Sequence, residues 1–78
     1  MKVEIITPDQ SLFNGEAKAV SMPGIDGNLG ILDNHAPLIT ALKAGDVKVT
    51  VTDGSDKFFT LKGGTAEVLN NKVLILAE

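Results

Sequence analysis

The spacing of turn-forming residues constrains this chain more than any other feature of its sequence. Pairs built from glycine, proline, asparagine and aspartate recur about every 8–12 residues, which is typical of β-sandwiches and β-barrels. The pairs are Pro8-Asp9, Asn14-Gly15, Pro23-Gly24, Asp26-Gly27, Asp33-Asn34, Gly45-Asp46, Asp53-Gly54, Gly63-Gly64 and Asn70-Asn71. Asn14-Gly15 and Asp53-Gly54 are the strongest candidates for hairpin turns of type I′, because both central positions of that turn need a positive φ. The chain is therefore predicted to be all-β.

The segments between these turns show the alternation of half-buried strands. Val47, Val49 and Val51 alternate with polar residues, and Val3 and Ile5 do the same near the N-terminus. Side chains of a strand point alternately to its two faces, so each of these segments predicts a strand with one apolar face.

Two segments depart from simple alternation. The apolar parity slips from Ala17 and Ala19 to Val20 and Met22, and one extra residue in a strand, a β-bulge, would explain the slip. Near the C-terminus, Val73–Leu76 is apolar at four consecutive positions. This run predicts a strand that is buried on both faces.

Residues 37–44 allow two interpretations. The segment begins with Pro37 and is followed by Gly45, as short helices often are, so two helical turns are one possibility. A helix of this length is marginal without packing. A strand or an extended loop is the favoured interpretation.

The length of the chain, 78 residues, suffices for one domain over residues 1–78. A domain of this size buries roughly 60–65% of the surface that its unfolded chain exposes, and small domains often add disulfides, metals or partners. Cysteine is absent and His35 is the single histidine, which excludes disulfides, thiolate metal sites and multi-histidine metal sites. A compact core, a partner, or both must therefore stabilise this domain.

The charge pattern excludes further classes of partner. The net charge is −3, and the seven basic residues are all lysine. Nucleic-acid binding needs a basic stripe, usually with arginine, so nucleic acid is not expected. The longest apolar run, Val73–Ala77, is far shorter than the ~20 residues of a membrane span, and Glu4 lies where a signal peptide would be cationic or apolar. We expect a chain that lies in or faces the cytosol and does not insert directly into a membrane.

Motifs for catalysis and ligand binding are weak. His35 is the only neutral base and no serine lies in a nucleophile pattern, so His35 is expected to be a polar loop residue bonded to backbone. Gly24, Gly27 and Gly30 recur every three residues, but no helix is predicted to follow and present its N-terminus to a phosphate. These glycines predict turns, and we expect no catalytic residue, no metal and no cofactor.

Two features near the Asp53-Gly54 hairpin bear on function. Lys57 resembles the modified lysine of biotinyl and lipoyl carrier domains by its position, although Asp56-Lys57-Phe58 matches their motifs only in part. A carrier domain is therefore the second candidate function. Phe58 and Phe59 are adjacent and must point to opposite faces of a strand. One fills the core, and the other either packs or forms an exposed patch that a partner covers.

Five motifs in sequence order carry a resemblance to a known family. They are Ile5-Ile6-Thr7-Pro8 with Leu12-Phe13 and Gly15, Gly27-Asn28-Leu29-Gly30-Ile31, His35-Ala36-Pro37-Leu38, Gly63-Gly64-Thr65-Ala66-Glu67-Val68, and Val73-Leu74-Ile75-Leu76-Ala77-Glu78. Over essentially the whole chain, they resemble the β-sandwich domain of the epsilon subunit of F-type ATP synthases. The chain departs from that family where Asn28 replaces a common acid, Asp33 a common proline and Lys62 a common serine.

The resemblance implies a two-sheet β-sandwich of about ten short strands in the central stalk of the rotor. It implies a non-catalytic subunit that braces the gamma subunit on the c ring and so couples ion translocation to ATP synthesis. The residues that match the family's c-ring loop are Asp26, Gly27, Asn28, Leu29 and Gly30. The residues that match its segment near gamma are His35, Ala36, Pro37 and Leu38. The implied location is peripheral, on the cytoplasmic face of the bacterial plasma membrane, within the F1 sector.

The family usually continues into a two-helix C-terminal domain. The present sequence stops where the sandwich would close, as either a naturally short member or a shortened chain would. Because that second domain carries the family's inhibitory arm and nucleotide-sensing residues, we expect that residues 1–78 neither bind ATP nor inhibit ATP hydrolysis through such an arm.

Overall fold

The computed structural model describes residues 1–78, which form eight strands and no helix. The strands are β1 (Lys2–Ile6), β2 (Ser11–Gly24), β3 (Gly27–Leu32), β4 (Leu38–Leu42), β5 (Gly45–Val51), β6 (Asp56–Leu61), β7 (Gly64–Leu69) and β8 (Lys72–Ala77). No helix in the structure is long and apolar enough to cross a bilayer.

The strands pair in two layers that share β2. One layer has the order β2-β1-β8-β7-β4, and the other has the order β3-β2-β5-β6. Only β1 and β8 run parallel; the remaining pairs are antiparallel. The predicted all-β sandwich is confirmed, with eight strands where about ten were expected. With 14 residues, β2 is long enough to pair with β1 in its first half and with β3 and β5 in its second.

The predicted turn at Asn14-Gly15 is wrong. Both residues lie inside β2, where Asn14 is opposite Glu4 and Gly15 is opposite Val3. Pairing with a strand that is distant in sequence overrides the local turn propensity here, because strand propensity depends strongly on tertiary context.

The predicted Asp53-Gly54 hairpin is confirmed between β5 and β6, but its turn is not type I′. Of its two residues only Gly54 has a positive φ, of 93°. The backbone nitrogen of Gly54 donates to the Val51 carbonyl at 2.9 Å, and that of Val51 donates to the Ser55 carbonyl at 2.9 Å. This pattern fits a type I turn closed by a left-handed glycine. Asn70-Asn71, between β7 and β8, has the two left-handed φ values that a type I′ turn needs, 51° and 59°.

Two strand predictions are confirmed in detail. Ala17 lies opposite Val51 and Ala19 lies opposite Thr50, so Lys18 is the extra residue of a β-bulge in β2. The segment 37–44 contains a strand, β4, and not a helix. Its pairing with β7 provides the hydrogen bonds that a two-turn helix would lack.

The prediction that Val73–Leu76 is buried on both faces is wrong, although the segment does form a strand. Val73 and Ile75 are fully buried, whereas Leu74 is half-buried and Leu76 is 46% exposed. The outer face of β8 has no third layer over it. The five-stranded layer therefore carries apolar side chains on its outer surface.

The core lies between the two layers, and no polar or charged residue is buried in it. Its fully buried large side chains are Ile5, Met22, Ile31, Ile75, Val3, Val20, Val47, Val49, Val68 and Val73. Phe59 packs against this core and meets Phe13 edge-to-face, with ring centroids 5.8 Å apart. Phe58 points outward and is 63% exposed.

Candidate functional site

The residues predicted to meet the c ring form the tip and one strand of the β2–β3 hairpin. Gly24 pairs with Gly27, so Ile25 and Asp26 are the two residues of the turn. Asp26, Asn28 and Gly30 are exposed, whereas Leu29 is half-buried and packs against the core. The tip therefore presents polar groups and one apolar side chain, that of Ile25.

Ile25 is a surface residue that the sequence analysis did not select. Its side chain is 56% exposed beside Asp26. Connecting turns run over the protein surface, so the turn predicted from Pro23-Gly24 and Asp26-Gly27 was the signal that could have identified it.

The hairpin tip is held against β4 by backbone hydrogen bonds. The nitrogen of Ile25 donates to the Ala41 carbonyl at 3.0 Å, and the nitrogen of Lys43 donates to the Pro23 carbonyl at 2.9 Å. The hairpin is also tight within itself, since a Cβ at position 24 would lie 2.6 Å from the carbonyl oxygen of Gly27. The tip is therefore a constrained element and not a free loop.

The residues predicted to meet gamma lie on the loop from β3 to β4 and on the first residue of β4. His35, Ala36 and Pro37 are exposed, and Leu38 is half-buried against the core. The His35 ring nitrogen Nδ1 lies 2.7 Å from the Ala36 carbonyl oxygen, which agrees with the prediction of a polar loop residue bonded to backbone.

This loop is anchored at its start by contacts from two other parts of the chain. The N-terminal amine of Met1 donates to Asp33 Oδ1 at 2.6 Å and to the Ala17 carbonyl at 2.9 Å. The backbone nitrogen of Asn34 donates to Asn71 Oδ1 at 2.8 Å. Asp33 stands where the similar family commonly has proline, so a carboxylate contact fixes the loop here.

The two predicted segments adjoin at Leu38. A depression of about 240 Å³ is lined by Leu38 and Thr40 of β4 together with residues 24 and 26–29 of the hairpin. A second depression, of about 320 Å³, is lined on the other side by Pro37, Leu38 and Ile39 with residues 67–69 of β7. Leu38 thus separates two adjacent surface depressions, one on each predicted segment.

Ile39 is the second surface residue that the sequence analysis missed. It is 75% exposed, more than any other large apolar side chain of the chain. The alternation of side chains along β4 could have identified Ile39. Leu42 is buried, and Leu38 and Thr40 lie on the same face of the strand as Leu42. Once the segment is taken as a strand, Ile39 must point outward.

The two predicted segments are exposed surfaces, and we looked beside them for groups that could bind a metal or carry a modification. No group of three or more histidine, cysteine, aspartate or glutamate side chains is placed to hold a metal ion. Lys57 lies inside β6, opposite Val49, and not at the tip of the hairpin. In that hairpin, hydrogen bonds from the Ser55 hydroxyl and backbone hold the pKa of Asp53 below its usual range.

Comparison with protein families identifies the chain. The model of the ATP synthase delta/epsilon chain β-sandwich domain matches residues 1–78. The chain belongs to this family. Among curated relatives it is 43% identical to the ATP synthase epsilon chain of Chlorobium limicola over 77 residues, which are 99% of this chain and 88% of that protein. It is 42% identical to the epsilon chain of Delftia acidovorans over 76 residues, which are 97% of this chain but only 55% of that protein.

Two solved assemblies contain chains with the fold of this ATP synthase delta/epsilon domain. A chain of the Euglena gracilis mitochondrial ATP synthase OSCP/F1/c-ring structure superposes with a TM-score of 0.90 at 22% identity, over 96% of this chain and 48% of that one. A chain of the Tetrahymena thermophila mitochondrial ATP synthase central stalk/c-ring structure gives 0.84 at 20% identity, over 99% and 62%. At these identities the likeness shows the shared fold.

Proposed function

We propose that residues 1–78 are a non-catalytic domain of the rotor stalk of an F-type ATP synthase, where they brace the gamma subunit on the c ring and couple ion translocation to ATP synthesis. The family match over the whole chain carries this proposal. It is supported by the two exposed segments that adjoin at Leu38.

The c ring meets the β2–β3 hairpin in this proposal. Asp26 and Asn28 offer polar groups to the polar loops of the ring, and Gly27 and Gly30 let the backbone approach closely. Ile25 adds an exposed apolar side chain at the tip. Because two backbone hydrogen bonds hold the tip on β4, little conformational entropy is lost when the ring is bound.

The gamma subunit meets the segment from His35 to Leu38. Leu38 already packs against the core of the sandwich, so the exposed residues before it supply most of the contact. The domain itself carries out no reaction, and ATP synthesis takes place on other subunits. Within the F1 sector, the domain lies peripherally on the cytoplasmic face of the bacterial plasma membrane.

Size-exclusion chromatography with purified gamma subunit from the same source tests this proposal. A one-to-one complex is expected, and His35→Ala combined with Pro37→Ser should weaken it while leaving the fold intact, because both side chains are exposed. Lys57→Ala, whose side chain is exposed on the other layer, is the control. A folded wild-type chain that forms no complex with gamma would refute the proposal.

A nucleotide titration addresses the predicted absence of ATP binding. Residues 1–78 are expected to give no saturable signal at micromolar ATP. Saturable binding would contradict that expectation and would require a nucleotide site within the sandwich.

A further inference from the structure

We infer that Lys57 keeps the free edge of β6 from pairing with β6 of a second copy of this chain. The inference goes beyond the proposed function, because it concerns an association that the domain avoids and not a partner that it binds. It gives Lys57 a role that is neither the modification site of a carrier domain nor a contact with gamma or the c ring.

The first observation is that β6 is an edge strand. It ends the layer β3-β2-β5-β6 and pairs with β5 alone. The backbone groups on its other side have no neighbouring strand within the chain, and such an edge is a template for pairing with another chain. A second copy presents the same edge, so two β6 strands related by a two-fold axis could join two layers into one sheet.

The second observation is that β6 is well suited to such pairing. It has six residues, contains no proline or glycine, and pairs with β5 without a register shift. Residues 57–61 are Lys-Phe-Phe-Thr-Leu, which combine high strand propensity with a single charge, as aggregation-prone segments do. Edge strands are usually protected by short length, proline, a bulge or a charge. Of these features, β6 has only the charges of Asp56 and Lys57.

The third observation is that side-chain hydrogen bonds hold β6 on β5. Thr50 Oγ1 donates to Asp56 Oδ1 at 2.7 Å, and Thr60 Oγ1 donates to Asp46 Oδ1 at 2.7 Å. Both bonds join residues that lie directly opposite one another on the outer face of the two strands. The edge is therefore ordered along its length, and the Asp56 carboxylate already has a donor on the outer face. Lys57 remains as the charge on the other face.

The fourth observation is the side of β6 to which Lys57 belongs. Lys57 lies opposite Val49 and Phe59 lies opposite Val47, and both valines are fully buried. Residues directly opposite one another share a face of the sheet, so Lys57 is on the side of β6 that faces the core, although its side chain is exposed. The other residues of that side, Phe59 and Leu61, are apolar. A charge that points inward on an edge strand is one of the means by which sheets avoid edge-to-edge pairing.

Pairing of two copies would bring two ammonium groups to one apolar side of the joined sheet. Lys57 takes part in neither ion pair of the structure, and no acidic residue of β6 lies on its side of the strand. A charge that leaves water without a partner is strongly unfavourable, and the like charge of the second copy adds repulsion. Because the side chain is exposed in the single domain, this cost falls on the paired state alone.

The test compares self-association of the wild-type chain and its variants by size-exclusion chromatography with light scattering over a concentration series. The wild type is expected to remain a monomer. Lys57→Val should form dimers or larger species at concentrations at least about tenfold lower than any at which the wild type associates, because valine favours strands and carries no charge. Lys57→Ala should associate more weakly than Lys57→Val, since alanine favours strands less. Gamma binding by Lys57→Ala is therefore compared at concentrations where this series shows a monomer.

Two controls separate the position of the charge from its removal. Lys2→Val makes the same substitution at an exposed lysine of β1, a strand that pairs with β2 and β8 on its two sides. It changes the net charge equally and should remain a monomer. Lys57→Glu keeps a charge on the core-facing side of β6 and should also remain a monomer. Hydrogen exchange locates the contact, because the β6 amides that point away from β5 should exchange more slowly in Lys57→Val as its concentration rises.

Three results would overturn the inference. The first is that Lys57→Val and Lys57→Ala both remain monomers while thermal unfolding shows that at least one of them keeps its fold. The second is that Lys2→Val or Lys57→Glu associates as strongly as Lys57→Val. The third is that the wild type itself associates through β6, which slower exchange of the same amides at high concentration would show.

Discussion

Replacing Gly24 by alanine should open the hairpin that we propose meets the c ring. A Cβ at this position would lie 2.6 Å from the carbonyl oxygen of Gly27 and 3.2 Å from two carbon atoms of the Leu29 side chain. The Leu29 side chain can move, but the Gly27 carbonyl belongs to the backbone residue with which Gly24 pairs. The clash is therefore relieved only by separating the two strands at the turn.

The size of the effect follows from two opposing terms. Inserting a methyl group into a filled space typically costs about 1–3 kcal/mol, and replacing glycine by alanine regains about 0.4–1 kcal/mol by restricting the unfolded chain. The middle values of the two ranges give a net loss of about 1.3 kcal/mol in the free energy of unfolding, within a span of about 0–2.6 kcal/mol. For a domain of this size the middle value corresponds to a Tm lower by roughly 5–10 °C.

Gly30→Ala is the matched control, because it makes the same chemical change in the partner strand. A Cβ at Gly30 meets no atom within 4 Å, so this variant should be neutral or more stable by about 0.4–1 kcal/mol. Thermal and urea unfolding monitored by circular dichroism measure both variants. If Gly24→Ala and Gly30→Ala have free energies of unfolding within about 0.5 kcal/mol of each other, the steric argument is wrong.

Three further predictions concern other parts of the sandwich. Phe59→Leu should lower the free energy of unfolding by about 0.5–1.5 kcal/mol through loss of its edge-to-face aromatic contact, whereas Phe58→Leu should change it by less than about 0.5 kcal/mol; equal effects in urea unfolding would contradict this. Asp33→Asn should speed hydrogen exchange of the amides in the following loop, because the N-terminal amine loses a charged acceptor; unchanged exchange rates would show that this contact does not hold the loop. Ser55→Ala should raise the pKa of Asp53 toward its usual range, measured by NMR titration of the carboxyl group. Because the pKa is lowered in the folded state, its contribution to stability is present at neutral pH and is lost as pH falls through the folded value, so the variant should lose less stability on acidification.

The strands that could be predicted from sequence are those whose inner and outer environments differ. In β5, Val47 and Val49 are fully buried whereas Lys48 between them is only half-buried, so alternation alone identifies the strand. The bulge at Lys18 was equally visible, because an extra residue shifts the parity of every apolar position after it. Both features appear as patterns over a few consecutive residues, so a single amino-acid sequence is enough to predict them.

The predictions that were wrong concern residues whose neighbours in the sheet are distant in sequence. Asn14 and Gly15 have strong turn propensity but lie in a strand because β1 pairs with them. Leu76 belongs to an apolar run, yet its side chain faces outward since nothing covers β8. A single sequence does not state which strands become neighbours or which face of a sheet stays uncovered.

The candidate site was predicted by motif and not by exposure, so it contains both exposed and half-buried residues. The motif residues include Leu29 and Leu38, which pack against the core, and omit Ile25 and Ile39, which point outward. A family motif contains residues that pack in the core of the sandwich as well as residues on its surface. Once the strands are known, the alternation of side chains along each strand shows which residues face the core and which face outward.

The attachment of the hairpin tip to β4 has a mechanical consequence. If the ring pulls on Asp26 and gamma resists at Leu38, the first residue of β4, the load passes through the hydrogen bonds from Ile25 to Ala41 and from Lys43 to Pro23. The hydrogen-bond direction of a sheet spans about 5 Å per strand, so this path is short and is made of backbone groups. The remaining strands would hold β4 in place. A substitution that destabilises a distant strand such as β6 should lower the stability of the domain without changing how stiffly the two contact surfaces are joined.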